Sequence, residues 1–114
     1  MESLDLAKRI VDLASDKLAE NLVLLDVRAL TSITDYFVIC SGGSDRQVRA
    51  ISRQIQDTLA LEGEKALHEE GESESKWILL DYNSVIVHIF TPDERDYYRL
   101  DQLWGDAPAV VKMQ

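Results

Sequence analysis

Trp77-Ile78-Leu79-Leu80-Asp81-Tyr82, then Asn83-Ser84, then Val85-Ile86-Val87-His88-Ile89-Phe90: two apolar runs meet across two polar residues. Both runs are short and rich in β-branched and aromatic side chains, which is the composition of strands rather than helices. The first strand reads from Lys76 to Tyr82 and the second from Val85 to Phe90. Asn tolerates a positive φ, so Asn83-Ser84 closes a two-residue hairpin. That loop length sets the register: Tyr82 pairs with Val85, Leu80 with Val87 and Ile78 with Ile89. Side chains alternate along a strand, so those six share one face, and all six can be buried. This is the core face. The other face collects Trp77, Leu79 and Asp81 with Ile86, His88 and Phe90, with Trp77 opposite Phe90 and Leu79 opposite His88. A solvated face would not gather Trp, Leu, Ile and Phe together, and a fully buried one would not hold Asp and His. The mixture has the make-up of an interface, an aromatic anchor among aliphatic groups with a few polar groups to set register. A helix laid over this face would explain the same pattern, and the pattern alone does not separate the two.

Outward from the hairpin, the chain alternates helical and strand-like segments. Ser3 to Glu20 has helical period, with Leu6, Ile10, Ala14 and Leu18 four apart and Ala7 and Val11 beside them. Asp5 and Arg9 form an i,i+4 pair on its polar side, and Asn21 is a stop. Leu22 to Arg28 reads as a buried strand. A polar connection over Ala29 to Asp35 leads to a second strand, Tyr36 to Cys40, which Ser41-Gly42-Gly43 ends. Ser44-Asp45-Arg46-Gln47 fits a capping box, with Ser44 at the N-cap and Gln47 reaching back. The helix it opens carries Val48, Ile51, Ile55 and Leu59 on one stripe, and Gly63 supplies a left-handed C-terminal residue. Residues 64 to 75 are polar and acidic, with a short apolar piece at Ala66-Leu67. After the hairpin, Thr91-Pro92-Asp93-Glu94 starts a helix that runs to Trp104, ended by Gly105 and Pro108. The order α-β-β-α-(β)-β-β-α predicts an α/β fold, a mixed sheet with flanking helices. Without linker or repeat, residues 1–114 are expected to be one domain, with a core over about 4–104 and a short C-terminal tail over 105–114.

Composition narrows the function. At 114 residues with 46% apolar side chains, the chain can bury roughly two-thirds of its unfolded surface and is not disordered. Its 21 carboxylates outweigh 12 Lys and Arg, a net charge of −9. Coating nucleic acid needs the opposite sign, so the charge suits a basic partner instead. One cysteine allows no intrachain disulfide. No apolar run approaches the ~20 residues of a membrane span, and the start, Met1-Glu2-Ser3-Leu4-Asp5, lacks the features of a signal peptide. The expectation is a cytoplasmic protein with no membrane contact.

The candidate chemical motifs fail on inspection. Gly42-Gly43-Ser44 lies between a strand and a helix, where backbone amides can cradle phosphate. Nucleotidyltransferases place a Gly-Ser there and follow it with two carboxylates one residue apart, to hold magnesium. Here Asp57 falls inside the helix and is followed by Thr58-Leu59, while the residue two after Asp81 is Asn83. No Walker lysine follows the glycines. The stretch reads as a turn and a cap. Glu69, Glu70, Glu72 and Glu74 lack the alternation of a calcium loop and read as a solvated acidic connection. His68 and His88 have no second histidine at ligand spacing, and Cys40 has no activating base and reads as a packing thiol. No catalytic, cofactor-binding or metal-binding residue is assigned, and the chain is not expected to be an enzyme. Arg46, Arg49 and Arg53 form one basic stripe, either a solvated face balanced by nearby carboxylates or a local contact with phosphate or RNA.

Three stretches together resemble a known family: Ser32 to Gly42 with Ser44 and Arg46-Gln47-Val48; Glu70-Gly71 ahead of Trp77 to Tyr82; and Val85 to Phe90 followed by Arg95, Tyr98, Leu100, Leu103 and Trp104. They resemble the ribosomal silencing factor family, the iojap-related proteins, over residues 4 to 104. Asn83-Ser84 stands where Gly-Asp is usual in that family. The resemblance implies a nucleotidyltransferase-like fold without the catalytic carboxylates. It implies a translational repressor that binds the large ribosomal subunit through its ribosomal protein fourteen, blocks joining of the small subunit and lowers translation when nutrients are short. Contact with rRNA would be minor at most. The partner-binding residues are then Trp77, Leu79, Asp81, Ile86, His88, Phe90 and Tyr98. The alternatives are a nucleotidyltransferase-like enzyme using Ser44, and a homodimeric scaffold that turns the Trp77 face on itself.

Overall fold

A computed structural model describes residues 1–114. In chain order the elements are α1 (Ser3–Asp16), β1 (Glu20–Asp26), β2 (Tyr36–Ser41), α2 (Asp45–Leu61), β3 (His68–Glu70), β4 (Trp77–Asp81), β5 (Val85–Phe90), α3 (Pro92–Tyr98), α4 (Leu100–Leu103) and β6 (Ala109–Met113). The six strands form one mixed sheet in the order β3-β4-β5-β2-β1-β6. Only β2 and β5 run parallel; every other neighbouring pair is antiparallel.

The hairpin has the expected register. Trp77 stands opposite Phe90, Ile78 opposite Ile89, Leu79 opposite His88 and Leu80 opposite Val87. Asn83 takes φ 72°, the left-handed conformation that Asn accepts more readily than most residues. The Asp81 carboxylate accepts the Asn83 amide proton at 2.7 Å and braces the turn. Ile78, Leu80, Tyr82, Val85, Val87 and Ile89 all enter the larger core, a cluster of 21 buried residues built with one face each of α1 and α2. Ser44 caps α2, its Oγ accepting from the Gln47 amide at 3.1 Å, and Gly63 follows the helix at φ +86°.

Several boundaries and contacts differ from expectation. α1 stops at Asp16, not Glu20, because Leu18 turns left-handed at φ 62° to bring the chain into β1. Leu18 therefore leaves the apolar stripe and is 78% exposed. Gln47 does not complete the capping box; its amide donates to the Lys17 carbonyl at the end of α1 instead. Arg9 pairs with Glu62 at the end of α2, with Nη2 2.6 Å from Oε2, rather than with Asp5. Asn21, expected as a stop, lies inside β1, where the register with β2 shifts. The short strand of the acidic connection is His68–Glu70 rather than Ala66-Leu67.

The largest differences are at the C-terminal end. The helix expected from Thr91 to Trp104 is broken at Arg99 (φ 50°, ψ 49°) into α3 and α4. Thr91 is the N-cap residue, but its hydroxyl makes no capping bond. Residues 105–114, expected as a tail, contain β6, which pairs antiparallel with β1 along the sheet edge. To reach that edge the chain crosses the second face of the sheet. There Ala107 is buried with Val23, Leu25, Val27, Phe37, Ile39 and Phe90, and Leu100 and Trp104 pack against them. The second face is thus neither open nor wholly covered: residues 100–107 roof β1 and β2 and leave β4 and the start of β5 outside.

Two substitutions check this description. Leu80→Ala truncates a side chain sealed between the hairpin and the helices, so chemical denaturation should show a loss of about 2–5 kcal/mol. Gly71→Ala places a methyl group 1.9 Å from the Trp77 carbonyl oxygen, at φ +91°. It should cost about 2 kcal/mol or more, because both the backbone strain and the clash fall on main-chain atoms that cannot rotate away.

Candidate partner-docking face

Trp77 enters the second face at the start of β4, where the chain leaves the connection of residues 71–76. That connection is tightly built. Gly71 takes a left-handed φ and lies against the Trp77 carbonyl. Ser75, also left-handed and wholly buried, donates its hydroxyl to the Glu72 carbonyl at 2.6 Å and accepts from Arg49 Nη1 at 3.0 Å. Trp77 then meets three rings, Phe90 at 4.8 Å and Tyr98 at 4.7 Å between centroids, and His88 at 5.9 Å. Its indole Nε1–H donates to His88 Nδ1 at 3.1 Å. The indole is therefore held at both ring and edge, yet stays half-buried. Shallow hollows lie on either side, one of about 210 Å³ bounded by Glu70, Gly71 and Leu79, the other of about 250 Å³ bounded by Lys76, Glu94 and Tyr98.

The other residues expected on this face divide by depth. Leu79, Asp81 and Ile86 are half-buried, on adjacent strands, with Asp81 opposite Ile86. Tyr98 is 47% exposed on α3. Phe90 is different: it is 0% exposed, so it cannot touch a partner, and its expected contact role is corrected to that of a floor beneath Trp77. His88 is 6% exposed and lies edge-on to Phe37 at 5.3 Å. Burial pushes its pKa down to about 4, so the imidazole is neutral at neutral pH, as it must be to accept from Trp77. The reading from sequence missed three contributors. Phe37 is a buried floor, Trp104 packs edge-on over it at 5.0 Å between centroids, and the exposed Tyr97 stands edge-on to Tyr98 at 5.0 Å. The paired Tyr97-Tyr98 was the available signal, since two neighbouring tyrosines on a short helix cannot both point into one core.

The residues weighed for chemistry lie elsewhere and apart. Ser44 is a helix cap, and the backbone at the start of α2 leaves no room for a side chain at Gly42: a Cβ there would sit 2.9 Å from the Val48 amide nitrogen. Cys40 is sealed in the main core, and burial pushes its thiol up to about 12, out of nucleophilic range. His68 lies exposed on β3, 3.5 Å from Glu70. No group of three or more His, Cys, Asp or Glu stands together at metal-holding distance. Arg53 pairs with Glu72, and Arg49 binds Ser75, so two of the three stripe arginines clasp the acidic connection. A hydrogen bond with Glu69, and then the Arg53 pair, hold the Glu72 carboxyl below the usual range, while burial and Glu72 raise Glu69. A hollow of about 510 Å³, lined mostly by polar and charged residues, lies at the β1–β2–β6 end. Arg95 crosses it, binding Asp101 through Nη2 at 2.7 Å and Ser41 through Nη1 at 3.0 Å, and so ties the α3–α4 break to β2.

Comparison with known proteins agrees with this fold. The family model described as "Ribosomal silencing factor during starvation" matches residues 1–114. The ribosomal silencing factor RsfS of Bacillus subtilis is 47% identical over 93 residues, covering 82% of this chain and 79% of that protein. A crystal structure of a protein from Chromobacterium violaceum superposes with a TM-score of 0.89 at 32% identity, covering 92% of this chain and 88% of the other. One from Bacillus halodurans gives 0.80 at 37% identity, covering 95% of each. No helix of the chain is long and apolar enough to cross a membrane. A match that spans every residue, including the hairpin and its second face, places the chain in the ribosomal silencing factor family.

Proposed function

We propose that this chain represses translation in the cytoplasm by docking on the large ribosomal subunit, through ribosomal protein fourteen of that subunit, and occupying space the small subunit needs. One observation carries the choice of surface. On a face otherwise roofed by residues 100–107, Trp77, Leu79 and Ile86 stay half-exposed around the Trp77–His88 hydrogen bond. A large aromatic group that is rigid before binding loses little entropy on docking, which is why Trp dominates binding hot spots. Asp81 and Tyr98 flank it and supply polar groups at the margin. The mechanism is steric exclusion, with no bond made or broken and no cofactor. The net charge of −9 speeds encounter with a basic ribosomal protein and opposes spread along rRNA. The engagement of Arg49 and Arg53 inside the chain supports at most a minor rRNA contact.

Co-sedimentation with purified subunits tests the proposal. The chain should pellet with the large subunit alone, less so as salt rises, and light scattering should show fewer joined ribosomes in its presence. Pelleting with the small subunit, or no pelleting at all, would refute it. Trp77→Ala should weaken large-subunit binding by at least about 2 kcal/mol, roughly thirtyfold, and restore joining. Its circular dichroism should still be that of a folded chain. Arg46→Gln, Arg49→Gln and Arg53→Gln should each change affinity by less than about 1 kcal/mol. A single arginine whose loss abolishes binding would move the interface to α2.

A further inference from the structure

We infer that His88 donates a hydrogen bond from Nε2 to a neutral carbonyl oxygen of the docked partner, and that Trp77 fixes the tautomer that makes this donor available. The inference rests on the docking reading above and names what the deepest polar group of that face does. An indole nitrogen can only donate. With Trp77 Nε1 3.1 Å from His88 Nδ1, Nδ1 must present its lone pair, and a neutral imidazole then carries its proton on Nε2. No side chain or backbone group of the chain accepts from Nε2. The sealed side-chain polar atoms without a partner are Thr34 Oγ1, Glu69 Oε2 and Tyr82 Oη. His88 Nε2 is not one of them, so the small exposed part of this buried ring includes an unused N–H.

The surroundings set the chemistry of the acceptor. The ring is fixed by Trp77, by Phe37 edge-on and by Phe90 parallel at 6.1 Å. The donor therefore has one direction before any partner arrives, and apolar Leu79 and Ile86 beside it will be dried when the face closes. A donor left unmatched in a dried interface weakens binding, whereas a matched one selects the partner that supplies the acceptor. Asp81 lies on the same face, and the imidazole brings no charge of its own. A carboxylate acceptor would be repelled there, whereas a backbone or side-chain amide carbonyl would not.

The test combines tautomer and affinity. In the ¹⁵N-labelled full chain at neutral pH, long-range ¹⁵N–¹H correlation should show His88 protonated on Nε2 alone; an Nδ1–H tautomer or an imidazolium overturns the inference. His88→Asn keeps an acceptor near Nδ1 and has no atom at Nε2. His88→Gln restores an N–H near Nε2. His88→Asn should bind the large subunit at least tenfold more weakly with its melting temperature and Trp77 indole resonance near those of the wild type, and His88→Gln should bind within threefold of wild type. A folded His88→Asn that binds as tightly as wild type overturns the donor role. Should His88→Asn not fold, the tautomer and His88→Gln decide, and a tenfold loss in His88→Gln overturns the inference. Failure of the wild-type chain to bind refutes the docking reading itself, which is a different outcome from equal binding by wild type and His88→Asn.

Discussion

The two-residue turn at Asn83-Ser84 fixes which side chains of β4 and β5 share a face, and the rest of the molecule is arranged around that choice. A slip of β4 by one residue against β5 would send Ile78 and Leu80 outward and drive Trp77, Leu79 and Asp81 into the helix layer, where the Asp81 carboxylate would be buried without a partner. The turn prevents this locally, through the left-handed Asn83 and the Asp81 carboxylate on its amide. With the register set, one face takes α1 and α2 in full. The other face must accommodate an acid and an imidazole, and it does so by being only partly roofed.

That partial roof links stability to function. Arg99 breaks the last helix in a left-handed conformation, and Arg95 anchors the break to Asp101 and Ser41. The chain then crosses over Phe37 and pairs with β1 as the final strand. If the helix ran unbroken, it could not descend onto β1 and β2, and their apolar side chains would stay wet. If the roof reached further, it would cover Trp77, Leu79 and Ile86 and leave no apolar surface for the proposed partner. The buried neutral His88 completes the arrangement by tying the orientation of Trp77 to the sheet rather than to a mobile loop.

Much of this was legible in the sequence, and what was not has a physical cause. The hairpin, its register and its core face are local, because turn chemistry and the period of two act over a few residues. The capping of α2 by Ser44 is local for the same reason. The interface-like mixture on the second face was legible as composition, but its division into roofed and open parts was not. That division depends on residues 100–113 returning to a strand more than 70 positions earlier, and no pattern in Ala109 to Met113 names its pairing partner. The break at Arg99 falls on a residue with no left-handed preference, so tertiary packing overrides propensity there. Phe90 was placed correctly on the second face, but its complete burial follows from Trp77 and the α3 end lying over it.

Hydroxyl-radical footprinting of the full chain, free and on purified large subunits, tests the docking surface without altering any residue. The account predicts strong protection of Trp77, Leu79, Ile86 and Tyr98, with the exposed Leu18 and Leu61 of the helix layer as reactive as in the free chain. Protection of Leu18 and Leu61 with none at Trp77 and Ile86 would show that the helix layer meets the ribosome, and would contradict the account.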